Sequence, residues 1–255
     1  MSSEENIKKG KISIAQSAEE AGLLSGKKAA QLINEAINRN GVGNIILATG
    51  ASQFHTLATL VKENVDWSRV TMFHLDEYIG LPESSPASFR RYLKERFVSK
   101  VSPLRDVYFI NGEGDVQAEC KRLGDAIRNH PIDVALVGIG ENGHLAFNDP
   151  PADFDTEEPY LVVELDEKCR MQQMGEGWFK TLQDVPASAI SMSVKQIMKS
   201  RHIICTVPDA RKNEAVKNSF NGPVTNLVPA SILQQHQQTH IFLDKFSAGG
   251  LEIKQ

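Results

Sequence analysis

Short apolar runs rich in β-branched residues alternate along this chain with longer amphipathic stretches. The runs with the length and composition of buried strands are residues 44–48, 70–75, 107–110, 133–137, 202–207 and 239–243. Between them, apolar residues recur at steps of three and four, which is the periodicity of a helix with one buried face. This periodicity covers residues 27–38, 57–65, 89–98, 118–127 and 215–220. The alternation predicts an α/β fold, with a mainly parallel sheet flanked by helices.

The charge and length of the chain restrict its partners and its domain organisation. It has 255 residues, and 28 basic and 32 acidic side chains give a formal net charge of −4. This balance argues against a nucleic-acid partner, because non-specific nucleic-acid affinity comes mainly from clustered Lys and Arg. The length suits one α/β domain, and we expect residues 1–255 to form a single domain.

The N-terminal residues and the cysteines indicate a cytoplasmic protein. Charges stand where a signal peptide needs an apolar core, and no apolar run approaches the roughly 20 residues of a membrane span. Cys120, Cys169 and Cys205 are odd in number and widely spaced, which predicts neither a disulfide framework nor a zinc site. We therefore expect no membrane partner and no metal.

Residues 149–188 interrupt the alternation. They mix Pro, acidic residues, Met, Gly and aromatic residues without a clean strand–helix pattern. Compact domains rarely keep long irregular segments without a use, so this stretch is predicted to be a lid or binding segment.

A candidate anion-binding loop follows the first predicted strand. The strand ends in Thr49, Gly50, Ala51 and Ser52, and a helix follows. A strand–turn–helix junction with Gly at the turn directs backbone N–H groups and a hydroxyl at an anion. The alternative is an ordinary turn in which Ser52 caps the helix.

Three basic residues are candidates for the same anion site. Arg211 and Lys212 stand at the start of a predicted helix, where positive charge opposes the helix dipole unless an anion binds there. Arg170 in the irregular segment is a second candidate clamp, for which the alternative is an exposed lid arginine.

Candidate acid–base residues follow two other strands. Asp76 and Glu77 come directly after the strand at 70–75, at the sheet edge where ligands of open α/β sheets bind, although loop carboxylates there are also often only solvated. The strand at 133–137 is followed by Gly138, Gly140 and Gly143, which indicate close backbone approach to a ligand. These glycines accompany His144, Asn142, Asn148 and Asp149. A carboxylate beside His144 can orient its ring, and the alternative is a structural histidine.

At these segments the chain resembles the glucosamine-6-phosphate deaminase (isomerase) family, whose wider superfamily includes the 6-phosphogluconolactonases. The similarity covers nearly the whole chain, in the family's order: ATG at 48–50, HLDEYIGL at 74–81, GENGHLAFNDP at 140–150 and the Lys-bearing strand–helix junction near 212. DEYIGL and GHLAFN resemble the deaminase branch, whereas the lactonase branch carries an Asp-Glu-Arg motif and GHTAS. The resemblance implies a modified doubly wound, Rossmann-like sheet with a helical lid.

The resemblance also implies an activity and its residues. It implies a hydrolase/isomerase of amino-sugar metabolism that converts glucosamine 6-phosphate to fructose 6-phosphate and ammonia with no metal or redox cofactor. Asp76 matches the general base for the C2 proton, and His144 matches the acid–base residue of ring opening. Asp149 stands where the family usually has the Glu that partners this histidine, and Asn142 stands where many members have Asp.

The hexosamine phosphate is the partner that the resemblance implies, and a homo-oligomer is allowed. The resemblance implies that this substrate is bound by Thr49, Gly50, Ala51, Ser52, Glu77, Gly143, Arg170 and Lys212. Ala51 lacks a hydroxyl that some members have there.

Two alternatives remain open. One is a galactosamine-6-phosphate or related hexose-phosphate isomerase. The other is a non-catalytic sugar-phosphate sensor. Such regulators normally carry a DNA-binding helix-turn-helix, and the roughly 40 residues before the first strand are too few and insufficiently basic for one.

Overall fold

The computed structural model describes residues 4–6, 11–101 and 103–252, and within these ranges it contains eleven strands and seven α-helices. The strands are β1 (Glu4–Asn6), β2 (Lys11–Ala15), β3 (Gly43–Leu47), β4 (Val70–His74), β5 (Asp76–Tyr78), β6 (Asp106–Tyr108), β7 (Val134–Val137), β8 (Tyr160–Glu164), β9 (Ser188–Met192), β10 (His202–Val207) and β11 (Thr239–Asp244). The helices are α1 (Ala18–Asn40), α2 (Phe54–Leu60), α3 (Phe89–Leu93), α4 (Val116–Arg128), α5 (Glu167–Gly175), α6 (Val194–Met198) and α7 (Asn213–Asn221).

The strands form two sheets. Eight of them lie in the order β1-β2-β11-β10-β7-β3-β4-β6, and every neighbouring pair is parallel except β1 with β2. The other three form a small antiparallel sheet in the order β5-β9-β8. The predicted α/β class with a mainly parallel sheet is confirmed.

The chain changes direction across the main sheet between β3 and β7. From β3 it moves outward to β4 and β6, and it then returns to β7, which pairs with the other edge of β3. At such a switch point the loops after the two strands diverge. They leave a crevice outside the carboxyl ends of the strands, where open α/β sheets bind their ligands.

Alternate residues of the central strands bury opposite faces of the sheet. Ile45 and Leu47 pack with α1, α2 and α3, whereas Ile46 packs on the other face with α4 and α7. Burial on both faces explains why these strands read as continuous apolar runs. A third apolar cluster joins Tyr78 and Phe147 to Leu165 and Val185 of the 149–188 segment.

The predicted strands and helices are located correctly, with shifted ends. All six predicted strands are confirmed to within two residues. Five of them are largely buried on both faces, whereas the edge strand β6 is exposed or half-buried. The first helix begins at Ala18 rather than at residue 27. Its N-cap is Ser17, whose side chain accepts a hydrogen bond from the Glu20 N–H over 3.2 Å. The helix predicted at 89–98 is α3 followed by the π-helical Lys94–Val98. No helix of the described ranges is long and apolar enough to cross a membrane.

The 149–188 segment contains regular structure that the sequence pattern did not predict. It contains β8, α5 and a 3₁₀ turn at Leu182–Asp184, and it ends as β9 begins. Helix α5 is mostly polar and buries only Cys169, Gln172 and Gln173, so it lacks the apolar stripe by which the other helices were found. Strands β1, β2, β5 and β9 and helix α6 were also missed.

Candidate active site

A cavity of about 460 Å³ opens at the carboxyl edge of the main sheet, beside the switch point between β3 and β7. Its walls come from the loops that follow β3, β4, β7 and β10 and from helix α5. Seven of the residues predicted for the site line it: Thr49, Gly50, Ala51, Ser52, Asp76, His144 and Lys212. Its volume lies in the range of about 300–1,000 Å³ that is typical of small-molecule sites.

The loop from Thr49 to Ser52 forms one end of this cavity. Gly50 has φ +85°, a conformation that favours glycine, and its carbonyl accepts a hydrogen bond from the Tyr92 hydroxyl over 2.9 Å. Ser52 does not cap α2: the residue at the cap is Gln53, which donates to the Ser52 Oγ over 3.1 Å. The alternative of an ordinary Ser52 cap is therefore wrong, and the hydroxyl stays at the cavity wall.

Lys212 and Arg211 follow β10 and line the cavity together. Lys212 is buried, and burial lowers the pKa of its ammonium group. Its Nζ has no hydrogen bond to another described residue. Arg211 is paired with Asp209 at 2.8 Å and lies 3.8 Å from Glu141. Lys212 is thus a buried cation at the cavity that has no hydrogen-bonded partner among the described residues, whereas Arg211 is already paired with Asp209.

Asp76 brings a carboxylate to the cavity wall at the start of β5. Burial, followed by the negative charge of Glu77, raises the pKa of Asp76 to about 8. Among the described residues none donates a hydrogen bond to its carboxylate. A buried, unpaired carboxylate of this kind can accept a proton near neutral pH.

Glu77 does not reach the cavity, although it was predicted to bind substrate. Its buried carboxylate accepts hydrogen bonds from the backbone N–H groups of Tyr78, Phe89 and Arg90 and from the Ser88 hydroxyl. These contacts fix the first turn of α3 to β5. Glu77 positions the wall that carries Asp76 and touches nothing inside the cavity.

His144 is held by a carboxylate and an amide. Its Nδ1 lies 2.9 Å from Asp149 Oδ1, and its backbone N–H donates to Asn142 Oδ1 over 3.1 Å. Asn142 Nδ2 also donates to Asp149 Oδ1 over 2.9 Å. The structure therefore brings the predicted trio together: Asp149 and Asn142 lie behind the ring, and only His144 lines the cavity.

The charge of Asp149 is favoured by these contacts. Burial works against its charge, but the hydrogen bond and positive charge of His144 and the amide of Asn142 lower its pKa. A second bond, from the Asp166 N–H to Asp149 Oδ2 over 3.0 Å, ties it to the start of α5. An anionic Asp149 holds the Nδ1 proton of the ring and leaves Nε2 for chemistry.

The glycines of this loop make room for the ring. A Cβ at Gly140 would lie 2.3 Å from the His144 imidazole, which is too close for any side chain at this position while the ring stays in place. Gly143 has φ +86° and does not line the cavity, and its carbonyl accepts the Ala230 N–H over 2.8 Å. Gly143 was predicted to contact the ligand, but in the structure it shapes the turn and lies outside the cavity lining.

Arg170 lies away from the cavity, so the structure does not place it as an anion clamp. Its guanidinium donates to the carbonyls of Leu182 and Val185 over 2.7 and 3.0 Å. It joins α5 to the end of its own segment. The alternative of a freely exposed lid arginine is also wrong, because Arg170 is partly buried and bonded.

Residues of α5 and of the turn after it complete the cavity and were missed in the sequence. Gln172, Gln173 and Glu176 line it, and Gln173 accepts a hydrogen bond from the Tyr78 hydroxyl over 2.8 Å. The Oε2 of Glu176 is buried without a hydrogen bond and lies 3.7 Å from where a Cβ on Gly50 would be. The one sequence signal for them was their place in the irregular segment.

Comparison with known proteins identifies relatives over most of the chain. A family model described as glucosamine-6-phosphate isomerases/6-phosphogluconolactonase matches residues 17–242. A glucosamine-6-phosphate deaminase of Listeria monocytogenes is 37% identical over 227 residues, which cover 89% of this chain and 95% of the relative. One from Pediococcus pentosaceus is 36% identical over 233 residues, 90% of this chain and 95% of its own length.

Solved structures have the same fold. A monomeric glucosamine-6-phosphate deaminase superposes with a TM-score of 0.84 at 28% identity, covering 94% of this chain and 99% of its own. A 6-phosphogluconolactonase of Thermotoga maritima superposes with a TM-score of 0.78 at 16% identity, covering 93% of this chain and all of its own. The modified doubly wound sheet that the motifs imply is confirmed by the first of these similarities.

Proposed function

The chain belongs to the family of glucosamine-6-phosphate isomerases and 6-phosphogluconolactonases, and we propose that it is a glucosamine-6-phosphate deaminase that forms fructose 6-phosphate and ammonia. Relatives named for this activity match about nine tenths of the chain. The observation that carries the proposal is Asp76: an unpaired, buried carboxylate with a pKa raised to about 8 lines the same cavity as His144 and the anion loop.

The phosphate of the substrate binds at the loop of Thr49–Ser52. Backbone N–H groups and the Ser52 hydroxyl supply hydrogen bonds there, and the buried Lys212 supplies a positive charge. Because Arg170 is bonded to Leu182 and Val185, this cradle contains no contribution from it. One lysine and one loop thus bind the phosphate of the substrate, although the protein as a whole is acidic.

Ring opening belongs to His144. The imidazole exchanges a proton between the C1 hydroxyl and the ring oxygen through Nε2, while Asp149 stabilises the charge that the ring gains. Asn142 keeps both groups in register through its two hydrogen bonds. Asn142 is a neutral amide at the position where many members of the family have Asp, so Asp149 alone offsets the charge of the imidazolium.

Isomerisation belongs to Asp76. The carboxylate takes the C2 proton and returns it to C1, while O1 gains a proton and the C2 amine loses one, which converts the 2-amino aldehyde to its isomer, a 2-imino alcohol. Water then adds to the imine carbon and ammonia leaves. The balanced reaction consumes one water, so the net change is a hydrolytic deamination reached through an isomerisation, with no step that needs a metal or redox cofactor.

The 149–188 segment is the lid of this site in our proposal, within one domain that spans the chain. Helix α5 supplies Gln172 and Gln173 to the cavity wall, and Glu176 follows directly after it. The three cysteines are unpaired, which suits the reducing cytoplasm, and the net charge of −4 suits a small-molecule partner rather than a nucleic acid.

Product analysis tests the proposal. Purified protein is incubated with glucosamine 6-phosphate, and ammonia and fructose 6-phosphate are measured in parallel with galactosamine 6-phosphate. We expect equimolar products and a faster rate with the gluco sugar. Absence of turnover with either sugar would contradict an enzyme and favour a sensor, whereas a faster rate with the galacto sugar would reassign the substrate.

A further inference from the structure

Three potential metal ligands meet behind the wall of the cavity. His144, Asp149 and Cys169 each present one ligand atom, and these atoms all lie within 4.8 Å of one another. In a tetrahedral zinc site, bonds of about 2.0–2.3 Å place neighbouring ligand atoms about 3.3–3.8 Å apart. Shifts of about 1 Å therefore separate this arrangement from three corners of a tetrahedron.

The fold, rather than sequence spacing, assembles the trio. His144 and Asp149 lie on the loop after β7, and Cys169 lies in the first turn of α5. Asp166 caps α5 by accepting the Cys169 N–H over 2.6 Å, and its own N–H donates to Asp149 over 3.0 Å. These bonds hold the start of α5 against the loop and keep the thiol beside the carboxylate.

The ligand types and the access routes fit a borderline-soft divalent cation. Imidazole, thiolate and carboxylate together are typical ligands of zinc and of cobalt, its common substitute. His144 lines the main cavity, and Asp149 lines a second, separate depression. A cation can therefore reach a member of the trio from either depression.

We propose that His144, Asp149 and Cys169 form an inhibitory site for Zn²⁺ or a similar divalent cation. Binding removes the Cys169 thiol proton to solvent and moves the imidazole proton from Nδ1 to Nε2, so that thiolate, Nδ1 and carboxylate form the three coordinate bonds. Water occupies the fourth position. The ring then loses both its orientation by Asp149 and its free Nε2 lone pair. The inhibition rests on the function proposed for His144, whereas the binding does not.

Cobalt spectroscopy separates binding from inhibition. The reduced, metal-free protein is titrated with Co²⁺, and the near-ultraviolet charge-transfer band of a cobalt–thiolate bond is recorded together with deaminase activity. We expect the band to appear with one equivalent, activity to fall with the same midpoint, and Zn²⁺ to displace the band. A chelator should restore activity.

The other two cysteines provide matched controls. Cys169→Ser and Cys169→Ala should lose the band and raise the inhibition midpoint at least about 10-fold, as loss of groups around a metal does, while Cys120→Ser and Cys205→Ser keep both. Circular dichroism checks that each variant is folded. Absence of a band in the wild type, or a band retained in both Cys169 variants, overturns the site. A band without inhibition would retain the site but contradict its inhibitory role, and a band in a protein without deaminase activity would contradict only the proposed function.

Discussion

At the scale of single residues, the environment of Asp76 differs most from that of an ordinary surface carboxylate. Burial and the neighbouring Glu77 raise its pKa from 3.8 to about 8, and among the described residues no donor offsets the loss of water. The sequence predicted Asp76 because it follows a strand at the ligand-binding edge. Its burial could not be predicted, because that depends on β9 and on the 149–188 segment.

The raised pKa makes stability depend on pH. Between about pH 4 and pH 8 folded Asp76 binds a proton that the unfolded chain has lost, so this residue makes the free energy of unfolding fall as pH rises. Asp76→Asn removes that contribution. Urea unfolding at about pH 5 and pH 8 should show a smaller fall for the variant than for the wild type.

Asp106→Asn is the matched control. Asp106 is half exposed, so this variant should keep the wild-type pH dependence. Equal falls for Asp76→Asn and the wild type would contradict the raised pKa.

Gly140 is a residue whose side-chain absence matters. Gly140→Ala would place a Cβ 2.3 Å from the His144 ring and displace it from the cavity, so kcat should fall about 100-fold. Gly114→Ala, whose Cβ would meet nothing closer than 3.7 Å, should leave kcat within about twofold. Steady-state kinetics checks both, and a Gly140→Ala enzyme with normal kcat would show that His144 is not required in its observed position.

Lys212 is the cation that we assign to the phosphate. Lys212→Met removes a buried charge at the cavity wall, so KM should rise about 10- to 100-fold and inhibition by inorganic phosphate should weaken in parallel. Lys217→Met, on the exposed side of α7, should change neither quantity. If both variants kept the wild-type KM, the phosphate would bind elsewhere.

At the scale of elements, α5 and the residues that follow it are the part of the site that sequence reasoning could not place. The strands β3, β4, β7 and β10 were predicted because both of their faces are buried. Helix α5 buries polar side chains and one cysteine, so neither its period nor its composition distinguishes it from a loop. The prediction that Arg170 binds phosphate is wrong because its guanidinium donates to carbonyls of its own segment. The sequence pattern of this segment did not reveal those contacts.

Glu176, directly after α5, places an unpaired carboxylate oxygen close to Gly50, at the phosphate end of the cavity. Its negative charge opposes an incoming phosphate by an amount on the order of 1 kcal/mol, so Glu176→Gln should lower KM about fivefold with little change in kcat. Glu167→Gln, on the exposed first turn of α5, should leave KM unchanged. A higher KM in Glu176→Gln would mean that the carboxylate instead binds the substrate.

At the scale of the whole molecule, the topology explains why residues distant in sequence share one cavity. The carboxyl ends of β3 and β7 adjoin at the switch point, so the anion loop and the histidine loop meet there. The alternation of strands and helices predicted this edge, and the family resemblance predicted which residues would reach it. The separate sheet β5-β9-β8 was not predicted, because its short strands come from distant parts of the chain.

The central claim is that Asp76 removes the C2 proton of glucosamine 6-phosphate. It is tested most directly by nuclear magnetic resonance of the reaction in heavy water, which follows deuterium entry into recovered substrate and product. The wild type should incorporate solvent deuterium and release fructose 6-phosphate. Asp76→Asn should lower both processes by at least about 100-fold while still binding the sugar phosphate. Exchange retained at the wild-type rate in Asp76→Asn would contradict the account.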